Sequence, residues 1–130
     1  MRTMKYFVLA AFATAVVTGF GTYRAADKDL PDIETIMQAA HSAEKEDDPT
    51  LLKLVVTGKA DKEMQKKLLK LYEDLAKNKR PEGKGTDEEW KKRTSAMVAA
   101  AKDVLAGKPG AAAALQKVVD CKSCHKLFKD

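Results

Sequence analysis

Aromatic residues are scarce in this chain, at 6% of 130 residues, and histidine and cysteine number only two each. So few bases and nucleophiles leave little for catalysis. No serine–histidine pairing or spaced pair of carboxylates is present, and an enzyme is not expected. No stretch alternates polar and apolar residues with the period of a strand, which argues against a sheet. Internal repeats are absent too, and the only biased tract is the alanine run at 111–114. Charge of one sign is not segregated: 24 Lys and Arg against 19 Asp and Glu leave a net +5, with lysines interspersed among acids along helical stretches. Without interleaved aromatics this is a solvated surface, and no nucleic-acid partner is expected. One uncharged apolar run exists, Tyr6 to Gly21, and its 16 residues fall short of the roughly 20 that span a bilayer.

That run follows Met1-Arg2-Thr3-Met4-Lys5, so a positive segment precedes an apolar one in the order of an export signal. A signal peptide over residues 1–21 is expected, with Gly19 and Gly21 as small residues before the cut, while Ala25 or Ala26 would move it to 26. A retained anchor is the alternative. Cleavage removes Arg2 and Lys5 and lowers the charge from +5 to +3. The remainder, 22–130, has room for a single small domain, with no membrane contact once the signal is gone.

The helical pattern is clear over most of that remainder. Pro31-Asp32 begins a first helix whose Ile33, Ile36, Met37 and Ala40 share a face, and Asp47-Asp48-Pro49 is expected to end it. Leu51 to Val56 has the composition of one or two further turns before Gly58. Asp61 caps a second long helix with a stripe of Met64, Leu68, Leu71, Tyr72 and Leu75. After the loop Arg80 to Gly85, Thr86 and Glu89 have the spacing of a capping box, and a third helix follows through Trp90, Thr94, Met97, Ala101 and Leu105. Gly107-Lys108-Pro109-Gly110 breaks the chain, and one helix is expected from Ala111 to about Lys129. Four amphipathic helices with short connections bury their stripes most simply as an antiparallel four-helix bundle, an all-α fold. Met64 and Met97 are taken as core filler, and Trp90 as a plug at one end of the bundle.

The two cysteines and a histidine stand together as Cys121-Lys122-Ser123-Cys124-His125, the C-x-x-C-H pattern of c-type haem attachment. Thiols three apart on a helix lie about one turn from each other. Both can then reach the two vinyl groups on one edge of a haem, and His125 is placed beneath the iron as an axial ligand. On a continuous helix Ala114, Val118, Cys121, Cys124, His125 and Phe128 would share one broad face. A redox dithiol would be expected beside a strand and a helix N-terminus, and a zinc site would need a fourth ligand beyond the two cysteines and one histidine, for which only His41 and distant carboxylates are available. One covalent haem c is the reading these residues favour.

A C-x-x-C-H motif near the C-terminus, seen here with the ending Phe128-Lys129, resembles the class II c-type cytochromes, the group of cytochrome c′ and its low-spin relatives. The resemblance implies a four-helix bundle over 22–130 with haem on the last helix, and a first helix facing the side of the haem opposite His125. Low-spin members take a sixth ligand from a methionine of that helix, which here would be Met37. His41 or an open iron are the alternatives, and Lys129 is placed where it could approach a propionate. The implied function is single-electron transfer between redox partner proteins in the periplasm, with nitric oxide or carbon monoxide binding at an open iron as the alternative. The oligomeric state, a homodimer included, stays open.

Export has a direct consequence. Fractionation of a bacterial host should recover the chain in the periplasm, and N-terminal sequencing should start between residues 22 and 27. An intact Met1 on a membrane-bound product would establish an anchor instead.

Overall fold

The computed structural model describes residues 29–129, so the expected export segment lies outside the described residues. Among these the fold is all-α and contains no strand. The helices are α1 (Ile33–His41), α2 (Leu51–Val56), α3 (Lys62–Lys77), α4 (Asp87–Leu105), α5 (Ala111–Val118) and α6 (Cys121–Phe128). None is long and apolar enough to cross a membrane.

Side-chain caps begin most of these helices where the sequence places them. The Asp32 carboxylate accepts from Thr35 N–H at 2.7 Å, and Asp61 from Met64 N–H at 2.8 Å. Thr86 and Glu89 exchange bonds as a full capping box, satisfying two backbone donors of α4. The first helix is shorter than expected: it stops at His41, with Ser42 extended. Beyond Ala40 the chain offers Glu44, Glu46, Asp47 and Asp48, which have nothing apolar to bury and sit unfavourably against the negative end of a helix dipole.

α3 and α4 form the central pair, with α1 and α2 packed on α3, α5 on α4, and α2 also against α5. Tyr72, Ile36, Leu68 and Leu115 are fully buried, with Leu75, Trp90, Met97 and Ala101 around them. On α4 the buried residues Trp90, Thr94, Met97 and Ala101 repeat every three or four positions, the apolar stripe of a helix facing a core. Met64 is not core filler. It lies exposed in the first turn of α3, ahead of the buried stripe that starts at Leu68.

The largest departure from expectation is in the last helix, which is two helices. Val119 (φ −85°, ψ 71°) closes α5 and Asp120 (φ −92°, ψ 90°) caps α6, its carboxylate accepting from Ser123 N–H at 3.1 Å. An aspartate with a free N–H three residues on competes well with helix continuation, and β-branched Val118 and Val119 resist it less than other residues would. The single face projected from Ala114 to Phe128 is therefore divided. Ala114 is exposed, whereas Phe128 is buried.

Phe128 meets Trp90 edge to face, ring centroids 5.2 Å apart at 76°. The α3–α4 loop closes over the same ring: a Cβ on Gly85 would lie 2.5 Å from Phe128 Cε1, and Gly85 has φ +89°. Gly85→Ala should therefore cost about 2 kcal/mol or more, combining left-handed strain with a displaced aromatic ring. Gly107→Ala, with φ +72° and open space around the added atom, should cost only about 1 kcal/mol. Chemical denaturation of the two variants checks the order; equal losses would show that the loop gives way freely.

Candidate functional site

One cleft gathers the residues of interest. Cys121, Cys124 and His125 of α6 line it together with Met37 and His41 of α1, and Leu75, Trp90, Met97, Val118 and Val119 supply apolar surface. Arg93, Thr94 and Asp120 complete its wall. The cleft encloses about 480 Å³ counted out into open solvent, but it is narrow: the centre of a water-sized sphere fits in only about 40 Å³ of it. Trp90 thus both closes one end of the core and borders the site.

α6 sets the positions of the thiols. Asp120 caps its first turn, so Cys121 opens the helix and Cys124 follows one turn on, with Cys124 N–H donating to Asp120 C=O at 3.0 Å. Cys121 is exposed, Cys124 is half-buried, and the two are not joined in a disulfide. Burial pushes the Cys124 thiol above its ordinary pKa, partly offset by the Arg93 guanidinium, with Cys121 and Asp120 adding to the rise. His125 is exposed on the same turn. Arg93 also donates to Ser123 Oγ at 2.9 Å, tying the middle of the motif to α4. Among the described residues no three His, Cys, Asp or Glu side chains come together to hold a metal ion.

Across the cleft, Met37 is half-buried beside fully buried Ile36. His41 is half-buried too, and its Nε2 lies 3.0 Å from the Tyr72 hydroxyl. The Tyr72 ring is fully buried, and the two ring centroids are 5.9 Å apart. Loss of His41 would leave a buried hydroxyl without this partner, at a cost of about 1–3 kcal/mol. Burial, and to a lesser degree the charge of His125, lowers the His41 pKa; burial, then Cys121, raises that of Tyr72. Both groups are therefore neutral in the folded protein near pH 7.

The sequence motif, Met37 and His41 thus line one cleft. Lys129 is exposed at the end of α6 and does not line the cleft. Two contributors escaped the sequence. Arg93 stands three residues after Trp90 and four before Met97, so a cation on the buried face of α4 was the available signal. Tyr72 was visible only as part of the α3 stripe, because nothing local names the partner of its hydroxyl.

Comparison with models of protein families, with curated proteins and with solved structures returned no match.

The lowered His41 pKa sets a pH dependence. In the unfolded chain the imidazole titrates near its ordinary value of about 6.5, so as pH falls below that value the unfolded state takes up the proton first. Stability should be full above about pH 7.5 and should decline toward about pH 5.5. His41→Gln should lower stability overall and flatten that decline, measured by denaturation at the two pH values. An unchanged slope would assign the dependence to another group.

Proposed function

We propose that the chain is an exported monohaem c-type cytochrome of the class II kind, transferring single electrons between redox partner proteins outside the cytoplasm. In this reading the fold is an antiparallel four-helix bundle, with α1, α3 and α4 as three of its helices, α5 and α6 together as the fourth, and α2 as an insertion between the first two. The observation that carries it is the meeting of Cys121, Cys124 and His125 with Met37 at one largely apolar cleft.

The donor set and the lining suit a haem. Two thiols one turn apart can each add S–H across a vinyl group, forming one C–S and one C–H bond. His125 offers an imidazole on the same turn, and Met37 offers a polarisable thioether from another helix. Leu75, Trp90, Met97 and Val119 would exclude water from the porphyrin faces. The cleft is narrow, so its wall must move outward to take a macrocycle. The wall made by exposed Val118 and His125, on either side of the α5–α6 break, is the one able to do so.

When bound, haem c supplies a one-electron iron couple whose potential follows its axial ligands, burial and nearby charge. The chain's residues hold it at a fixed place, with Cys121 and Cys124 as covalent anchors, His125 as proximal ligand and Met37 as sixth ligand. Lys117, Lys122, Lys126 and Lys129 are exposed on α5 and α6, where they would favour encounter with an acidic redox partner.

Production with a haem-attachment system tests this reading. The protein should carry one haem that survives acid and organic extraction, seen as added intact mass and a pyridine haemochrome. A colourless product with two free thiols, made beside working machinery, would sink the proposal. Replacing Cys121 or Cys124 should reduce stable attachment, and Met37→Ala should give high-spin iron that binds carbon monoxide faster. An unmutated protein already high-spin and open to carbon monoxide would instead favour gas binding.

A further inference from the structure

Met37 and His41 lie four residues apart on α1, about 6 Å along the helix axis, and both line the cleft that holds the haem-attachment motif. Iron readily accepts either side chain, so their location alone does not select between them. The surroundings of His41 do. Resting on the haem-binding reading, we propose that Tyr72 is a positioning residue that selects the sixth ligand: by engaging His41 Nε2 it withholds the imidazole and leaves Met37 to coordinate.

The argument is one of lone pairs. Nε2 lies 3.0 Å from the Tyr72 hydroxyl, and this bond can be made in two ways. Either Nε2 accepts the phenolic proton, which occupies its lone pair, or Nε2 carries the proton and donates to the phenolic oxygen, so that the lone pair is already a bond to hydrogen. In neither arrangement can Nε2 coordinate iron. The other nitrogen, Nδ1, adjoins the ring carbon nearest the backbone, and ligation through it would press the helix itself against the macrocycle.

Tyr72 is well placed to enforce this. It shows no exposed surface, and among the described residues the hydrogen-bond partner of its hydroxyl is His41. Giving up the imidazole to iron would leave a buried hydroxyl unsatisfied. α1 cannot turn readily to compensate, because Ile36 and Ala40, on either side of Met37, are themselves fully buried. The thioether of Met37 has no competing hydrogen bond of comparable strength to surrender. Burial lowers the His41 pKa and raises that of Tyr72, consistent with a bond between neutral partners that persists near pH 7.

The experiment compares unmutated holoprotein with Tyr72→Phe, and with Tyr72→Phe combined with His41→Ala. The ferric unmutated protein should show the weak far-red band of methionine-ligated haem. Tyr72→Phe should lose that band, acquire a bis-histidine low-spin spectrum and shift its reduction potential downward. Adding His41→Ala should restore the band and the potential. Retention of the band in Tyr72→Phe overturns the proposal, and so does a high-spin spectrum, which would mean that the hydroxyl only supports the pocket. A bis-histidine spectrum in the unmutated protein also overturns it while leaving the cytochrome reading intact; failure to attach haem defeats that reading itself. Should Tyr72→Phe not fold, nuclear magnetic resonance of the reduced unmutated protein decides. A slowly exchanging Tyr72 hydroxyl or His41 ring proton between the two rings supports the proposal, and an iron-bound His41 ring overturns it.

Discussion

Phe128 set edge-on against Trp90 is the contact on which the arrangement of the site depends. α6 has eight residues and Phe128 is its one buried side chain, worth about 1.5–3 kcal/mol by area alone and about 0.5–1.5 more from the aromatic geometry. Trp90 in turn is held by its indole N–H, which donates to Asn78 C=O at 3.1 Å. Asn78 reaches on to Pro31 C=O at 3.0 Å. The start of α1, the end of α3, the start of α4 and the end of α6 are therefore linked at one end of the molecule. The cleft lies beside that junction, and both of its helical walls are positioned from it.

The same junction explains why a short helix can carry the functional motif. At its N-terminus α6 is separated from α5 by the Val119–Asp120 break, and at its C-terminus it is pinned by the aromatic pair. Arg93 adds a polar tie to Ser123 between the two. Such a segment keeps its thiols in helical register without being rigidly continuous with α5. It also separates the stability of the core, built from α3 and α4, from the geometry of Cys121, Cys124 and His125.

The buried polar side chains Asp74 and Thr94 are each answered from their own helix. Asp74 is a buried carboxylate on α3, answered by Lys70 and Lys77 from the same helix, so its desolvation is met by charges that themselves stay in water. Thr94 returns its hydroxyl to Trp90 C=O at 2.9 Å. The His41–Tyr72 bond differs from both, because it joins two helices and one member borders the cleft. The bond fixes the orientation of the His41 side chain at the edge of the cleft.

Much of this protein was legible in its chain. The capping residues Asp32, Asp61 and Thr86, the apolar stripes of α3 and α4, and the Cys121-to-His125 spacing are local features, and local chemistry decides them. The C-terminal end of α1 and the division of the last helix were less legible. There, weak propensities compete, and Asp120 tips the balance through a bond of its own. The gathering of Met37, His41 and the α6 motif around one cleft was in the sequence only an expectation from the resemblance, because residues 80 or more positions apart meet only when α3 and α4 have packed. The pairing of Tyr72 with His41 and of Arg93 with Ser123 belongs to the same class: a hydroxyl or guanidinium advertises in the sequence that it needs a partner, and only the packed helices determine which partner is within reach.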